Sequence, residues 1–72
     1  MTMDYRKLLG RITEKMGTQA HFARAMSLSE RTVSLKLNGK IPFKQSEILR
    51  AAQLLCIGNE EISDYFFTQN VQ

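Results

Sequence analysis

A single cysteine, Cys56, stands among 72 residues, with one histidine, one proline and no tryptophan. One thiol cannot close an intrachain disulfide, and with only His21 beside it a metal site lacks ligands. Cys56 is therefore expected to be a small buried apolar residue in a chain of the reducing cytosol. No apolar run approaches the length that spans a bilayer. The opening Met1-Thr2-Met3-Asp4-Tyr5-Arg6-Lys7 lacks the apolar core of a secretory signal. Internal repeats, low-complexity tracts and glycine-rich phosphate loops are absent, and the scattered Ser, His and Asp residues lack a catalytic triad's supporting groups. No enzyme activity, cofactor, metal or small-molecule substrate is expected.

What is present is the composition of an ordinary globular domain, 43% hydrophobic and 24% charged. The length allows one domain, residues 1–72, with a small core that gains from burying a further apolar face against a partner. The charge is unevenly laid out. All ten basic residues lie at or before Arg50, against Asp4, Glu14, Glu30 and Glu47, so residues 1–50 carry +6. Beyond them stand only Glu60, Glu61 and Asp64, a net −3. A basic body favours phosphates or acidic partners, and an acidic end is nothing a pure DNA binder needs. Two ordinary solvated faces would give the same layout.

Helical spacing runs through the whole chain, so the predicted class is all-α with five helices. Asp4 is the expected cap of a first helix, about Tyr5 to Met16, whose buried stripe is Leu8, Ile12 and Met16 with Leu9 widening it. Gly10 inside that helix hints at close packing, since glycine there costs about 1 kcal/mol relative to alanine. Gly17 ends it. Two short helices follow, about Thr18–Ala25 and Ser29–Leu37, with Thr18 and Ser29 as caps. Phe22, Ala23 and Met26 bury one, Val33 and Leu37 the other, and Asn38-Gly39 closes the pair. In the loop that follows, Ile41 and Phe43 should fold back on the core. A fourth helix, about Lys44 to Leu55, turns Ile48, Ala51, Ala52 and Leu55 inward and leaves Leu49 at the edge. After a turn at Ile57-Gly58-Asn59, a fifth helix from about Glu60 to Phe66 seals the core with Ile62, Tyr65 and Phe66. Phe67 and Val71 look poorly covered, and residues 68–72 are expected to be extended or frayed.

The stretch from Gln19 to Gly39 carries the pattern Q-x-x-x-A-x-x-x-x-[LIV]-S-x-x-x-[VI]-x-x-x-x-x-G. It resembles the helix-turn-helix of phage repressors and Cro-type regulators, here spanning about residues 18–38 within a match from Leu8 to Leu55. More narrowly, the length, the Leu8-Leu9-Gly10-Arg11-Ile12-Thr13-Glu14-Lys15 opening and Tyr65-Phe66-Phe67 resemble the modulator-of-repression proteins of temperate phages. That resemblance implies a compact repressor-like domain in the bacterial cytosol, acting beside a CI-type phage repressor in the choice between lysogeny and lysis.

With Val33 centred on the buried face, Arg31, Leu35 and Asn38 point away and Thr32 and Ser34 flank them. In a helix-turn-helix this face enters the major groove. Arg31 suits the O6 and N7 of guanine, Ser34 and Thr32 suit smaller contacts, and Gln19 suits a phosphate or a base. Glu30 could accept from cytosine, although its default role is helix-end electrostatics. Arg24, Lys36, Lys40 and Lys44 are candidate phosphate contacts, with a solvated surface as the equal alternative. Leu35 fits this account poorly, because a leucine touches a thymine methyl but reads no hydrogen-bond pattern. Ser27 also stands where this family commonly has glycine.

Two readings follow. In one, the chain docks on the phage repressor and blocks its DNA binding, using Leu35, Phe67 and Val71 as apolar contacts and Glu60, Glu61 and Asp64 against a basic surface. In the other, it is a Cro-like homodimer that reads operator DNA through Arg31, Ser34 and Gln19. A joint complex of both proteins on DNA is compatible with either.

Overall fold

Two helix starts are written in a residue whose side chain takes up a free backbone N–H. In the computed structural model, which describes residues 3–68, the Thr18 hydroxyl accepts from His21 N–H at 3.1 Å and that of Ser29 from Thr32 N–H at 3.0 Å. The elements are α1 (Arg6–Met16), α2 (Gln19–Met26), α3 (Glu30–Leu37), α4 (Gln45–Leu54), a 3-10 turn at Asn59–Glu61, and α5 (Ile62–Phe66). The fold is all-α, with five helices and no strand among the described residues. No helix of the described residues is long and apolar enough to cross a membrane.

The core is one cluster to which every helix contributes. Leu8 and Ile12 of α1, Phe22, Ala23 and Met26 of α2, Val33 and Leu37 of α3, Ala51 and Ala52 of α4, and Tyr65 and Phe66 of α5 are all buried. Leu55 and Ile57 join them from the segment after α4. Burial of these side chains, each worth roughly 1.5–3 kcal/mol for the larger aliphatics, carries the fold. Phe43 folds back as expected: its ring sits edge-on to Tyr5 and to Phe66, each at 5.4 Å, and so ties the α3–α4 loop to both ends of the chain. Asp4 N–H donates to Thr68 O at 2.7 Å and brings those ends together.

Several expectations are corrected. Helix α1 begins at Arg6 with Tyr5 in the cap position, and Asp4 works from one residue further out, accepting Arg6 N–H at 3.0 Å. Gly10 marks no close packing: a Cβ built there meets nothing within 4 Å. Ile41 does not follow Phe43 inward: its N–H is tied to Leu35 O at 3.4 Å and its side chain is 37% exposed. Cys56 is exposed, not buried. It holds φ of 57°, a left-handed residue just past α4, which turns the chain so that Ile57 is buried in its place. The expected fifth helix is divided, with a 3-10 turn over Asn59–Glu61 before α5. Val71 and the rest of the expected frayed segment beyond Thr68 lie outside the described residues.

Candidate recognition surface

Helix α2, the turn Ser27–Ser29 and α3 form the scaffold of the candidate surface. The turn is made by Ser27 in the left-handed conformation, φ 60° and ψ 37°, with its N–H donating to Arg24 O at 3.1 Å. Leu28 N–H reaches Ala23 O at 2.9 Å, and Ala23 is buried where α2 meets α3. Ser29 then opens α3, its hydroxyl donating to Thr32 Oγ1 at 2.8 Å. This places Gln19 and Arg24 on α2, with Glu30, Arg31, Thr32, Ser34 and Leu35 on the neighbouring α3.

The outer face of α3 is less polar than its sequence implies. Lys36, a candidate phosphate contact, is 3% exposed. Its Nζ lies 2.9 Å from Glu47 Oε1, donates to Pro42 O at 2.9 Å, and sits 5.8 Å from the Phe43 ring centre. Lys36 is therefore no phosphate contact: helix periodicity puts it at the edge of the buried stripe, and a carboxylate from α4 draws it inside. Asn38 is exposed, but its amide donates back to Ser34 O at 2.9 Å. Leu35 is half-buried, not fully exposed, and is not among the partly buried apolar side chains packed on the core. Arg31 is exposed, with no side-chain hydrogen bond or ion pair to another described residue.

Charge is sorted by helix. Arg6 pairs with Asp4, Lys7 with Asp64 at 3.9 Å, and Arg11 with Glu14. The Arg6 guanidinium and backbone N–H hold the Asp4 carboxyl down at about 2. Arg24, Arg31, Lys40 and Lys44 are exposed and make no such pair among the described residues, nor do Lys15 on α1, Arg50 on α4 and the acidic Glu30 on α3, so four of the unpaired cations lie on α2, α3 and the loop beyond. The acidic candidates lie elsewhere. Glu60 is exposed before α5, Glu61 is half-buried with its Oε1 accepting Gly58 N–H at 3.4 Å, and Asp64 stands beside Lys7. Helix α5 packs on α1 and α4, whereas α3 packs on α2, so Leu35 and the acidic set belong to different parts of the surface.

Two arginines that sequence reading assigned only to a general basic surface do structural work instead. Arg11 Nε donates to Leu55 O and its Nη2 to Cys56 O, both at 2.9 Å, which satisfies two carbonyls of the turn just past α4. Arg50 donates to Ala25 O at 3.2 Å near the end of α2. Sequence reading also left unassembled a groove of about 470 Å³ lined by Phe43, Gln45, Ile48, Leu49, Ile62 and Phe67. Leu49 is 51% and Phe67 52% exposed there. Their shared signal was the position of each just off an inward stripe, on helices whose adjacency sequence does not reveal. No group of three or more His, Cys, Asp or Glu side chains among the described residues could hold a metal.

Residues 1–69 match the model of the family described as "Protein of unknown function (DUF739)". The chain belongs to the DUF739 family. This DUF739 chain is also similar to the solution structure of the modulator of repression of the temperate bacteriophage TP901-1 from Lactococcus lactis. The two are 56% identical, over 100% of this chain and 97% of that one, with a TM-score of 0.83. No curated protein matches the chain.

Proposed function

We propose that this DUF739 protein is a non-enzymatic regulator of a phage lysogeny–lysis switch, which binds a CI-type phage repressor and blocks its DNA binding. The full-length 56% identity to a phage modulator of repression is the observation that carries the reading. The α3 face supports it. With Lys36 drawn inside and Asn38 folded onto Ser34, Arg31 is the one strong base reader left beside a half-buried Leu35. An apolar residue rimmed by Arg31, Thr32 and Ser34 has the make-up of a protein contact. Action would take place in the host cytosol, with operator DNA reached through the repressor.

The unpaired Arg24, Arg31, Lys40 and Lys44 favour a second reading, a Cro-like protein that binds operator DNA itself as a homodimer. One titration separates the two. Fluorescence anisotropy of labelled operator DNA is followed with this protein alone and with the phage repressor already bound. Under the modulator reading, the protein alone stays at the level of non-specific binding and removes the repressor from its operator. Tight, sequence-preferring binding by the protein alone, with no loss of repressor, would overturn that reading in favour of the second.

A further inference from the structure

Lys36 is the one buried charged residue of the described chain, and its ammonium is held from two directions. Glu47 Oε1 lies 2.9 Å away and Pro42 O accepts at 2.9 Å. The same Glu47 oxygen accepts Lys44 N–H at 2.8 Å, at the start of α4. One ion pair therefore joins the last turn of α3, the middle of the α3–α4 loop and the first turn of α4. The near end of that loop also hangs on α3: Gly39 N–H donates to Lys36 O at 3.1 Å, and Lys40 and Ile41 N–H reach Leu35 O at 2.9 and 3.4 Å. The loop is thus fixed at one end through α3 carbonyls and at the other through the Lys36 side chain.

Desolvating an ammonium and a carboxylate offsets most of their attraction, and well-packed apolar replacements are often as stable. What the pair supplies beyond stability is direction, since Nζ must satisfy two acceptors at once. We propose that Lys36 and Glu47 are positioning residues that hold the loop bearing Lys40 and Ile41 against α3, in register with Arg31 and Leu35. The recognition surface then extends past α3 onto Lys40 and Ile41, both of which are exposed. For its binding consequence this rests on the repressor-binding reading above.

The test is the double variant Lys36→Met with Glu47→Leu, which fills the same space without charge. Two quantities are read at matched thermal stability: amide exchange at Lys40 and Ile41, and affinity for the phage repressor. Exchange about tenfold faster than wild type, together with an affinity at least about fivefold weaker, is expected. Wild-type exchange overturns the proposal, and so does faster exchange with unchanged affinity. If the double variant does not fold, Lys36→Met alone is read in the same way, because Glu47 keeps its bond from Lys44 N–H and is 14% exposed to solvent. Failure of the wild-type protein to bind the repressor would sink the proposed function and the binding consequence together. The exchange data would still decide whether the pair holds the loop.

Discussion

Ser27 and Cys56 hold backbone angles that L-residues with a Cβ avoid, φ 60° and 57°. Both follow a helix, α2 and α4, at points where a left-handed residue turns the chain back on the core. Neither side chain is buried, so each carries the conformational cost without a packing return. Ser27→Gly and Cys56→Gly should each raise the unfolding free energy by about 1 kcal/mol, measured by urea denaturation. Ser27→Ala should give no gain, since it keeps the Cβ. Serine in the turn was legible in the sequence as a departure from the glycine common in the helix-turn-helix regulators that the stretch resembles. Cys56 was not, because a lone cysteine gives no sign of backbone conformation and its usual place is the interior.

Glu47 gives the residue scale its pH dependence. Burial pushes its carboxyl up, but the Lys36 hydrogen bond, the Lys44 N–H and the two lysine charges outweigh this and hold it below the ordinary value of 4.5. A carboxyl with a depressed folded-state pKa contributes its full stability above the unfolded value and loses it as pH falls through the folded value. Stability should therefore be flat near neutrality and decline below pH 4.5. Asp4, held down at about 2 by Arg6, adds to the same decline. Glu47→Gln should shrink the drop between pH 7 and pH 3 (read from urea midpoints), while the Asp4 share remains. A drop as large as the wild type's would mean that Glu47 is not held below its ordinary value.

At the scale of elements, helix ends decide more than helix interiors. Thr18 and Ser29 were readable as caps because a short hydroxyl side chain before an apolar period has few other uses there. The turn after α4 was not readable: the carbonyls of Leu55 and Cys56 are satisfied by Arg11, some forty-four residues earlier, and no local pattern carries that information. Arg11 is 24% exposed and makes two hydrogen bonds to carbonyls, so Arg11→Ala should destabilise by about 1.5–3 kcal/mol in urea unfolding. Arg11→Lys, with a single point donor instead of a fork, should recover only part. A loss no larger than that of an exposed Lys15→Ala control would show that water serves the Leu55 and Cys56 carbonyls equally well. Lys36 failed in the sequence reading for a related reason. Its place at the edge of the α3 stripe fits either solvent or core, and the deciding group, Glu47, belongs to another helix.

Across the whole molecule, Arg24, Arg31, Lys40 and Lys44 lie unpaired on α2, α3 and the following loop, with Glu30 among them, and Glu60, Glu61 and Asp64 lie around α5. This polarity makes ionic strength the sharpest probe of how the protein works. A surface that neutralises six phosphates loses about three decades of affinity between 50 and 200 mM salt, since each released counterion contributes to the slope. A contact centred on Leu35 depends on apolar burial, which salt in that range hardly alters. The exposed Arg24, Arg31, Lys40 and Lys44 also gain nothing by Coulomb attraction from the DNA-reading surface of a repressor, which is itself basic. For the repressor complex, affinity should therefore change by less than about tenfold over that range. Leu35→Ala should weaken it by about 1–2 kcal/mol while leaving the thermal midpoint nearly unchanged, because Leu35 is not packed on the core. Arg31→Ala should cost less than Leu35→Ala at every salt concentration. If the order is reversed and the penalty for losing Arg31 fades as salt rises, α3 is working through charge. Its partner is then a phosphate backbone and not a protein.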